Sequence, residues 1–246
     1  MNSFDANKGT TPPGARTEEE AALWVRGMFA DVAPRYDLLN RVLSLQIDQL
    51  WRAHTVRRVR PYLDNPGARI LDLCCGTGDL LLALEKARQG PVLGSDFCHP
   101  MLTAAQAKRS RSPLFEADAL SLPLADSSLD LITCSFGFRN FANYRKGIAE
   151  LHRVLRPGGT AAILEFSTPP NPAFRAVYNF YSLQILPRIG ALLSGRRDAY
   201  TYLPESVRKF PGAEALAADF RSAGFPDVTF DRLTFGIVAL HLARKS

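Results

Sequence analysis

Cysteine and histidine are scarce, four of each in 246 residues. Cys74, Cys75, Cys98 and Cys134 form no C-x-x-C pair, and the adjacent Cys74 and Cys75 cannot close an unstrained disulfide. With the histidines scattered as well, there is no metal-ligand spacing, and the thiols read as small buried side chains of a reducing cytosol. No uncharged apolar run reaches the ~18 residues that a transmembrane helix requires. Met1–Thr17 is polar, holds Gly9, Pro12, Pro13 and Gly14, and lacks the apolar core of a signal peptide. It is expected to be a disordered tail, with residues 18–246 as one cytoplasmic domain. A concentrated basic stripe is missing too. The net charge is +6 and the pI about 9.3, but Lys and Arg are spread along the sequence. That excludes an extended nucleic-acid footprint. The one cluster, Arg52, Arg57, Arg58 and Arg60, reads as a solvated helix face, with weak contact to anionic lipid as the second reading.

What is present is an ordinary globular composition, 46% hydrophobic and 22% charged, long enough for one α/β domain with a sizeable core. Apolar residues three and four apart between Glu18 and Tyr62, broken by Pro34 and Pro61, predict an N-terminal helical cap. Strands and helices then alternate. Strands are expected over Arg69–Cys74, Pro91–Asp96, Leu114–Asp118, Leu129–Phe136 and Ala161–Phe166. Helices are expected over Asp79–Arg88, Pro100–Arg109 and Lys146–Leu155. Such alternation implies a parallel sheet covered on both faces. Thr168–Phe210 interrupts it as an aromatic, proline-rich insertion with apolar helical stretches at Phe174–Leu186 and Ile189–Leu193. A helix over Ala213–Ala223 and an antiparallel hairpin of Val228–Arg232 with Ile237–Leu242 complete the fold.

The chemistry concentrates at strand ends. Ile70-Leu-Asp-Leu-Cys-Cys-Gly-Thr-Gly-Asp79 runs a strand into Gly76-Thr77-Gly78 and then a helix, which brings backbone close to a nucleotide-like ligand. The dinucleotide fingerprint G-x-G-x-x-G fails, because Leu81 takes the third glycine position. Asp79 already puts a carboxylate at the helix N-terminus, where a pyrophosphate would bind. The loop therefore suits a ligand without phosphates, and Asp72 can face the amino group of an amino-acid moiety. Asp96, at the next strand end, can accept both hydroxyls of a ribose. Asp118-Ala119 can accept from an adenine amine, and Ser135 ends the fourth strand over the same crevice. Any one of these carboxylates alone is more commonly a helix cap. Acidic residues at three successive strand ends beside a G-x-G mark a cofactor site.

These residues resemble the class I S-adenosylmethionine methyltransferases. The resemblance implies a Rossmann-like seven-stranded sheet whose last strand is antiparallel. Two further stretches resemble the UbiE/MenG C-methyltransferases of ubiquinone and menaquinone synthesis. One is Phe29-Ala-Asp-Val-Ala-Pro-Arg-Tyr-Asp-Leu-Leu-Asn40, with its continuation to Trp51; the other runs from Arg153 to Ser167. Ser135–Phe141, Tyr202–Val207 and Val238–His241 are similar to that family as well. The likeness extends from Phe29 to Lys245. It departs at Asp48, where many members carry His, at Leu39, where many carry Met, and at Phe235, where Gly is usual. Asp48 weakens any role for a basic group at its own position, and the other two read as packing changes.

The resemblance implies S-adenosylmethionine as cofactor and a polyprenylated quinol as substrate, most simply demethylmenaquinol, with a ubiquinone precursor or another small molecule or lipid as alternatives. It implies that Arg139 stabilises a phenolate or orients a water, since a guanidinium stays protonated and makes a poor base. Tyr36, Asp37, Asn40 and Asn140 are expected to line or close the substrate site, although Tyr36, Asp37 and Asn40 serve equally well as cap packing. The insertion's aromatics (Phe174, Tyr178, Phe180, Tyr181, Tyr200, Tyr202) offer a groove for a polyprenyl tail or ordinary core packing. A transient contact at the inner membrane surface and a homo-oligomer remain open. A non-catalytic nucleotide-binding module, an NAD-dependent oxidoreductase and a nucleic-acid methyltransferase fit the motifs less well.

Overall fold

The computed structural model describes residues 9–44, 46–108, 110–185 and 197–246. The N-terminal segment forms four helices: α1 (Glu18–Val32), α2 (Tyr36–Leu43), α3 (Ile47–Arg58) and the short α4 (Arg60–Leu63). Thr17 caps α1 by accepting from Glu20 N, with three glutamates filling the first turn. Part of the expected tail is held to the body. Thr10 N donates to Phe141 O at 2.8 Å, and the Thr10 hydroxyl lies 2.6 Å from that of Tyr202, leaving Thr10 4% exposed.

The alternating segment gives β1 (Ile70–Leu73), α5 (Asp79–Arg88), β2 (Leu93–Asp96), α6 (His99–Ala107), β3 (Leu114–Glu116), β4 (Leu129–Ser135), α7 (Tyr144–Val154) and β5 (Leu155–Phe166). Then come α8 (Pro172–Phe180), a wider π-helical turn over Tyr181–Ile185, α9 (Arg197–Lys209), α10 (Ala213–Ser222), β6 (Asp227–Leu233) and β7 (Val238–Arg244). The expected stretch Ile189–Leu193 lies outside the described residues. β3 ends two residues short of Asp118. β5 begins before its expected start: Leu155 pairs with Leu129, Pro157–Gly159 bulges, and regular pairing resumes at Thr160.

The sheet order is β3-β2-β1-β4-β5-β7-β6, and β7 lies antiparallel between β5 and β6. The expected seven-stranded architecture is thus the one found. Every residue of β1 is buried and β4 is buried up to Ser135, as strands covered on both faces must be. One core packs α7 and α10 on the sheet through Phe138, Tyr144, Leu151, Leu216 and Phe220. The other packs α3, α4 and α5 through Trp51, Val59, Leu63, Leu80 and Leu84. The strand order reverses between β1 and β4. Their carboxyl ends part there, which opens the crevice where ligands enter such sheets.

Candidate active site

Two adjoining hollows lie over the carboxyl ends of β1, β2, β4 and β5. The first, the crevice, is lined by Gly76, Asp96, Asp118, Ala119, Ser135 and Asn140, with Phe29 and Tyr36. The second is a cavity of about 250 Å³, walled by Trp51, Phe136, Phe166, Tyr178, Tyr181 and Ile237 and holding Asn40, Arg52 and Arg139. Phe29, Tyr36 and Phe136 line both, so the two hollows adjoin at these side chains.

The crevice depends on backbone that few residues tolerate. Gly76 and Gly78 have φ of +55° and +86°, and Cys74 and Phe136, just past the ends of β1 and β4, adopt positive φ of 52° and 58°. Strain of this kind gathers at functional sites. At Gly137 an added Cβ would come within 2.4 Å of the Cys74 Cβ, so only glycine lets these two loops approach. A Cβ on Gly76 would meet nothing within 4 Å, because it faces the opening.

The polar groups fit S-adenosylmethionine. Asp72 is 1% exposed; one carboxylate oxygen accepts from Thr133 at 2.6 Å and the other, Oδ2, is buried without a partner. Burial pushes its acid pKa up to about 7, and an ammonium group would both satisfy the oxygen and restore the charge. The Ser135 hydroxyl is likewise buried and unpaired. Asp96 accepts from Gly76 N and Cys98 N at 2.9 Å each, and burial raises it to about 6. It thereby fixes the glycine loop with lone pairs to spare for a diol. Asp118 is exposed and closes a turn onto Leu120 N at 2.9 Å, yet it lines the crevice beside Ala119.

Not every expected residue faces a hollow. Asp37 accepts from the Thr77 hydroxyl at 2.5 Å and from Lys108 Nζ at 2.6 Å, while Lys108 also reaches Asp79 at 2.7 Å. Neither Asp37 nor Thr77 lines either hollow; their side chains tie the cap to the glycine loop. Burial favours the neutral form of Asp37, but its bonds to Lys108 and Thr77 outweigh that, and its pKa lies below the usual carboxylate value. Asn40 bonds the Tyr36 hydroxyl, whose pKa burial raises. Asn140 accepts from the Tyr202 hydroxyl at 3.0 Å, which links the insertion to the crevice.

Arg139 is 5% exposed and pairs with Glu165 at 3.0 Å, with its guanidinium 5.3 Å from the Phe166 ring centroid. Its described hydrogen bonds from the guanidinium all use Nη1, to Glu165 and to Phe136 O. Burial alone would lower its pKa, but the Glu165 charge, helped by Tyr36 and Tyr202, holds it above the usual arginine value. It is a fixed cation on the cavity wall.

The basic cluster divides. Arg57, Arg58 and Arg60 are exposed, whereas the Arg52 side chain is only 11% exposed, pairs with Asp48 and lines the cavity. The reading of Arg52 as part of a solvated face is corrected by its position at the border of the buried face of α3, one residue from the buried Trp51. The aromatic wall of Trp51, Phe136 and Phe166 carries no sequence signal of its own, since each ring belongs to a different element. Ring centroids of 5.8, 6.3 and 4.9 Å join them, and Trp51 Nε1 donates to the Thr234 hydroxyl at 2.7 Å.

A sequence profile of the ubiE/COQ5 methyltransferase family matches residues 15–245. The protein belongs to this family. It is 50% identical over 223 residues to a demethylmenaquinone methyltransferase of Thermus thermophilus, spanning 89% of this sequence and 100% of the relative. It is 47% identical to one of Deinococcus radiodurans, spanning 95% and 97%. To a ubiquinone/menaquinone biosynthesis C-methyltransferase UbiE of Geobacter sulfurreducens it is 42% identical, over 90% and 88%. Among solved structures, an S-adenosylmethionine-dependent methyltransferase of Thermotoga maritima shares the fold with a TM-score of 0.63 at 15% identity, covering 89% of this protein and 99% of its own length. One from Archaeoglobus fulgidus does so at 0.60 and 17%, covering 85% and 99%. The family member described here is a methyltransferase with S-adenosylmethionine as its cofactor, and the unpaired oxygens of Asp72 and Ser135 suit that assignment.

Proposed function

We propose that the enzyme methylates a ring carbon of the reduced quinone of a polyprenylated precursor, converting demethylmenaquinol to menaquinol. The observation that carries this is the aromatic cavity with the buried Arg139 cation on its wall, adjoining the cofactor crevice at Phe29, Tyr36 and Phe136. A flat, electron-rich ring can lie against the wall that Trp51, Phe136 and Phe166 form, and no side-chain nucleophile is needed because the ring carbon itself attacks. When bound, S-adenosylmethionine supplies an electrophilic methyl group. The crevice residues Gly76, Asp96, Asp118, Ala119 and Ser135 would hold it, with Asp72, Thr77 and Gly78, which lie behind the lining, contributing from the strand end and the glycine loop, Thr77 through its backbone alone, since its side chain is engaged by Asp37.

The apolar walls exclude water, and the fixed Arg139 cation favours the phenolate form, which enriches the ortho carbon that takes the methyl group. In-line positioning contributes up to ~7–11 kcal/mol of barrier lowering in favourable cases. The menaquinone precursor is preferred over the ubiquinone one because the relatives at 50% and 47% identity bear the demethylmenaquinone name. Incubation with labelled S-adenosylmethionine and short-chain demethylmenaquinol should give a product heavier by one methyl on the ring carbon. Cofactor binding without transfer would sink the quinol reading and leave the methyltransferase.

The finer reading includes contact with an anionic membrane. No helix among the described residues is long and apolar enough to cross a bilayer. On α8, however, Ala173, Ala176, Val177 and Phe180 form an exposed apolar stripe, while Tyr178 on another face lines the cavity. Phe235, at a position where the family usually carries Gly, is 78% exposed at a φ of +55° and stacks 5.2 Å from Phe174. A strained phenyl held in water gains little from packing inside this protein. The insertion Thr168–Phe210 also carries six basic residues against two acidic, which complements anionic lipid. Val177→Ser with Phe180→Ser and Phe235→Gly should cut co-sedimentation with phosphatidylglycerol vesicles by at least about tenfold, since burying each such side chain is worth ~1.5–3 kcal/mol. Turnover of a short-chain quinol should persist. Unchanged sedimentation would remove the membrane contact and leave the catalytic reading intact.

A further inference from the structure

Three basic side chains reach the site from its sides. Lys108 is taken up by Asp37, Asp79 and Thr77, and Arg139 is locked against Glu165 beneath the quinol cavity. Arg52 is different. It makes one described hydrogen bond, from Nη1 to Asp48, and its Nη2 forms an ion pair with Asp79 at 3.6 Å, too long for a hydrogen bond and open to a nearer acceptor. Asp79 is the first residue of α5, directly after the glycine loop, so the Arg52 head lies beside that loop. Its charge also acts on both Asp72 and Tyr36.

We propose that Arg52 binds the carboxylate of the methionine end of S-adenosylmethionine, opposite the ammonium held by Asp72. This rests on S-adenosylmethionine as the cofactor. The amino-acid end of that molecule is a zwitterion, and the loop meets it with an excess of acid: Asp37, Asp72, Asp79 and Asp96 surround Gly76-Thr77-Gly78. The first turn of α5, whose N-terminus is the usual seat for an anion, already carries the Asp79 carboxylate, paired with Lys108 and Arg52. A carboxylate there calls for a cation with donors to spare; Arg139 has an unpartnered Nε but stands at Glu165, whereas Arg52, on the wall of the adjoining cavity, reaches Asp79 beside the glycine loop. Asp48 is then a positioning residue. It accepts from Ser44 at 2.6 Å and from Arg52, and so turns the planar guanidinium fork toward the loop. This also gives Asp48, which departs from the family's usual His, a part in cofactor binding.

The test is calorimetric binding of S-adenosylmethionine and of decarboxylated S-adenosylmethionine to the full-length protein. Arg52→Ala should weaken the first ligand by about ten- to a hundredfold, as expected for a charge-assisted hydrogen bond, and leave the second unchanged. Arg52→Lys should restore part of the difference. Because Arg52→Ala strands the buried Asp48, the double variant Arg52→Met with Asp48→Asn should give the same selective loss. Comparing two ligands on one preparation cancels any loss of folded protein. Equal weakening of both ligands would show that Arg52 acts only through the cap, and no weakening of either would remove it from the cofactor site; both overturn the proposal. If the unaltered protein bound neither ligand, the cofactor assignment itself would fall, and this proposal with it.

Discussion

Replacing Asp96 by Asn is expected to weaken S-adenosylmethionine binding by about a hundredfold without lowering the melting temperature of the ligand-free protein. The affinity side follows from the proposed ribose contact, in which two hydroxyls would donate to the carboxylate, each bond worth about 1.5–3 kcal/mol. An amide keeps one acceptor and loses the charge, and a loss near ~3 kcal/mol is a hundredfold. The stability side follows from burial. Asp96 is 6% exposed and its pKa is raised to about 6, so the folded protein holds this proton more tightly than the unfolded state does. The stabilisation this gives is full below about pH 4 and is lost as the pH rises through about 6. At pH 7.5 the ionised carboxylate therefore costs the ligand-free fold about 3 kcal/mol, a cost that Asn avoids. Against this, Gly76 N–H loses an acceptor, while Cys98 N–H can keep the amide oxygen. Functional groups commonly trade stability for binding in this way. Calorimetry for affinity and a thermal melt of the same sample decide the matter. If affinity and melting temperature fall together, Asp96 serves chiefly to hold the glycine loop; unchanged affinity would remove the ribose assignment.

How far the site can be read from sequence depends on how local each signal is. Asp72, Gly76, Gly78, Asp96 and Ser135 are legible because a strand end followed by a turn fixes a residue's place by itself, and a parallel sheet brings successive strand ends to one edge. The same logic locates α5 to the residue, Asp79–Arg88, since Gly78 and the following apolar spacing mark its start. Two kinds of feature are not legible. The first is any group whose partner lies far along the sequence. The Asp37–Thr77–Lys108 tie joins three elements, and nothing in Phe29–Asn40 foretells that Tyr36 and Asn40 face the cavity while Asp37 turns to the loop. The second is a charged residue on a helix whose buried face is not apparent. α3 holds Ala53, Arg57 and Arg58 outward and Trp51 and Thr55 inward. Arg52 sits between those faces, so counting arginines places it with the solvated ones. Phe235 shows a third limit: the departure from Gly is visible, but its left-handed backbone and its exposure are not.

Arg139→Met is expected to lower turnover about 100- to 1000-fold, the usual effect of removing one preorganised donor to a developing oxyanion, with S-adenosylmethionine affinity unchanged. That single variant does not separate catalysis from stability. Glu165 has a fully buried side chain, and its carboxylate accepts from the Arg139 guanidinium, from Arg139 N at 3.1 Å and from Phe166 N at 2.8 Å. Removing the guanidinium leaves that charge buried beside two amides, which costs about 3–5 kcal/mol when one partner of such a pair is deleted. The melting temperature should therefore drop as well. The pair can be neutralised together, since replacing both members of a buried ion pair by neutral groups of similar volume is often close to neutral in stability. Arg139→Met with Glu165→Gln should regain most of the lost melting temperature and none of the lost turnover. Arg139→Lys should sit between the two, because an ammonium restores the charge but not the planar fork that spans Glu165 and the cavity. Recovery of turnover in step with stability would mean that Arg139 holds the loop after β4 and touches no reacting atom. The phenolate would then have to draw its stabilisation from Tyr36, whose side chain lines both hollows.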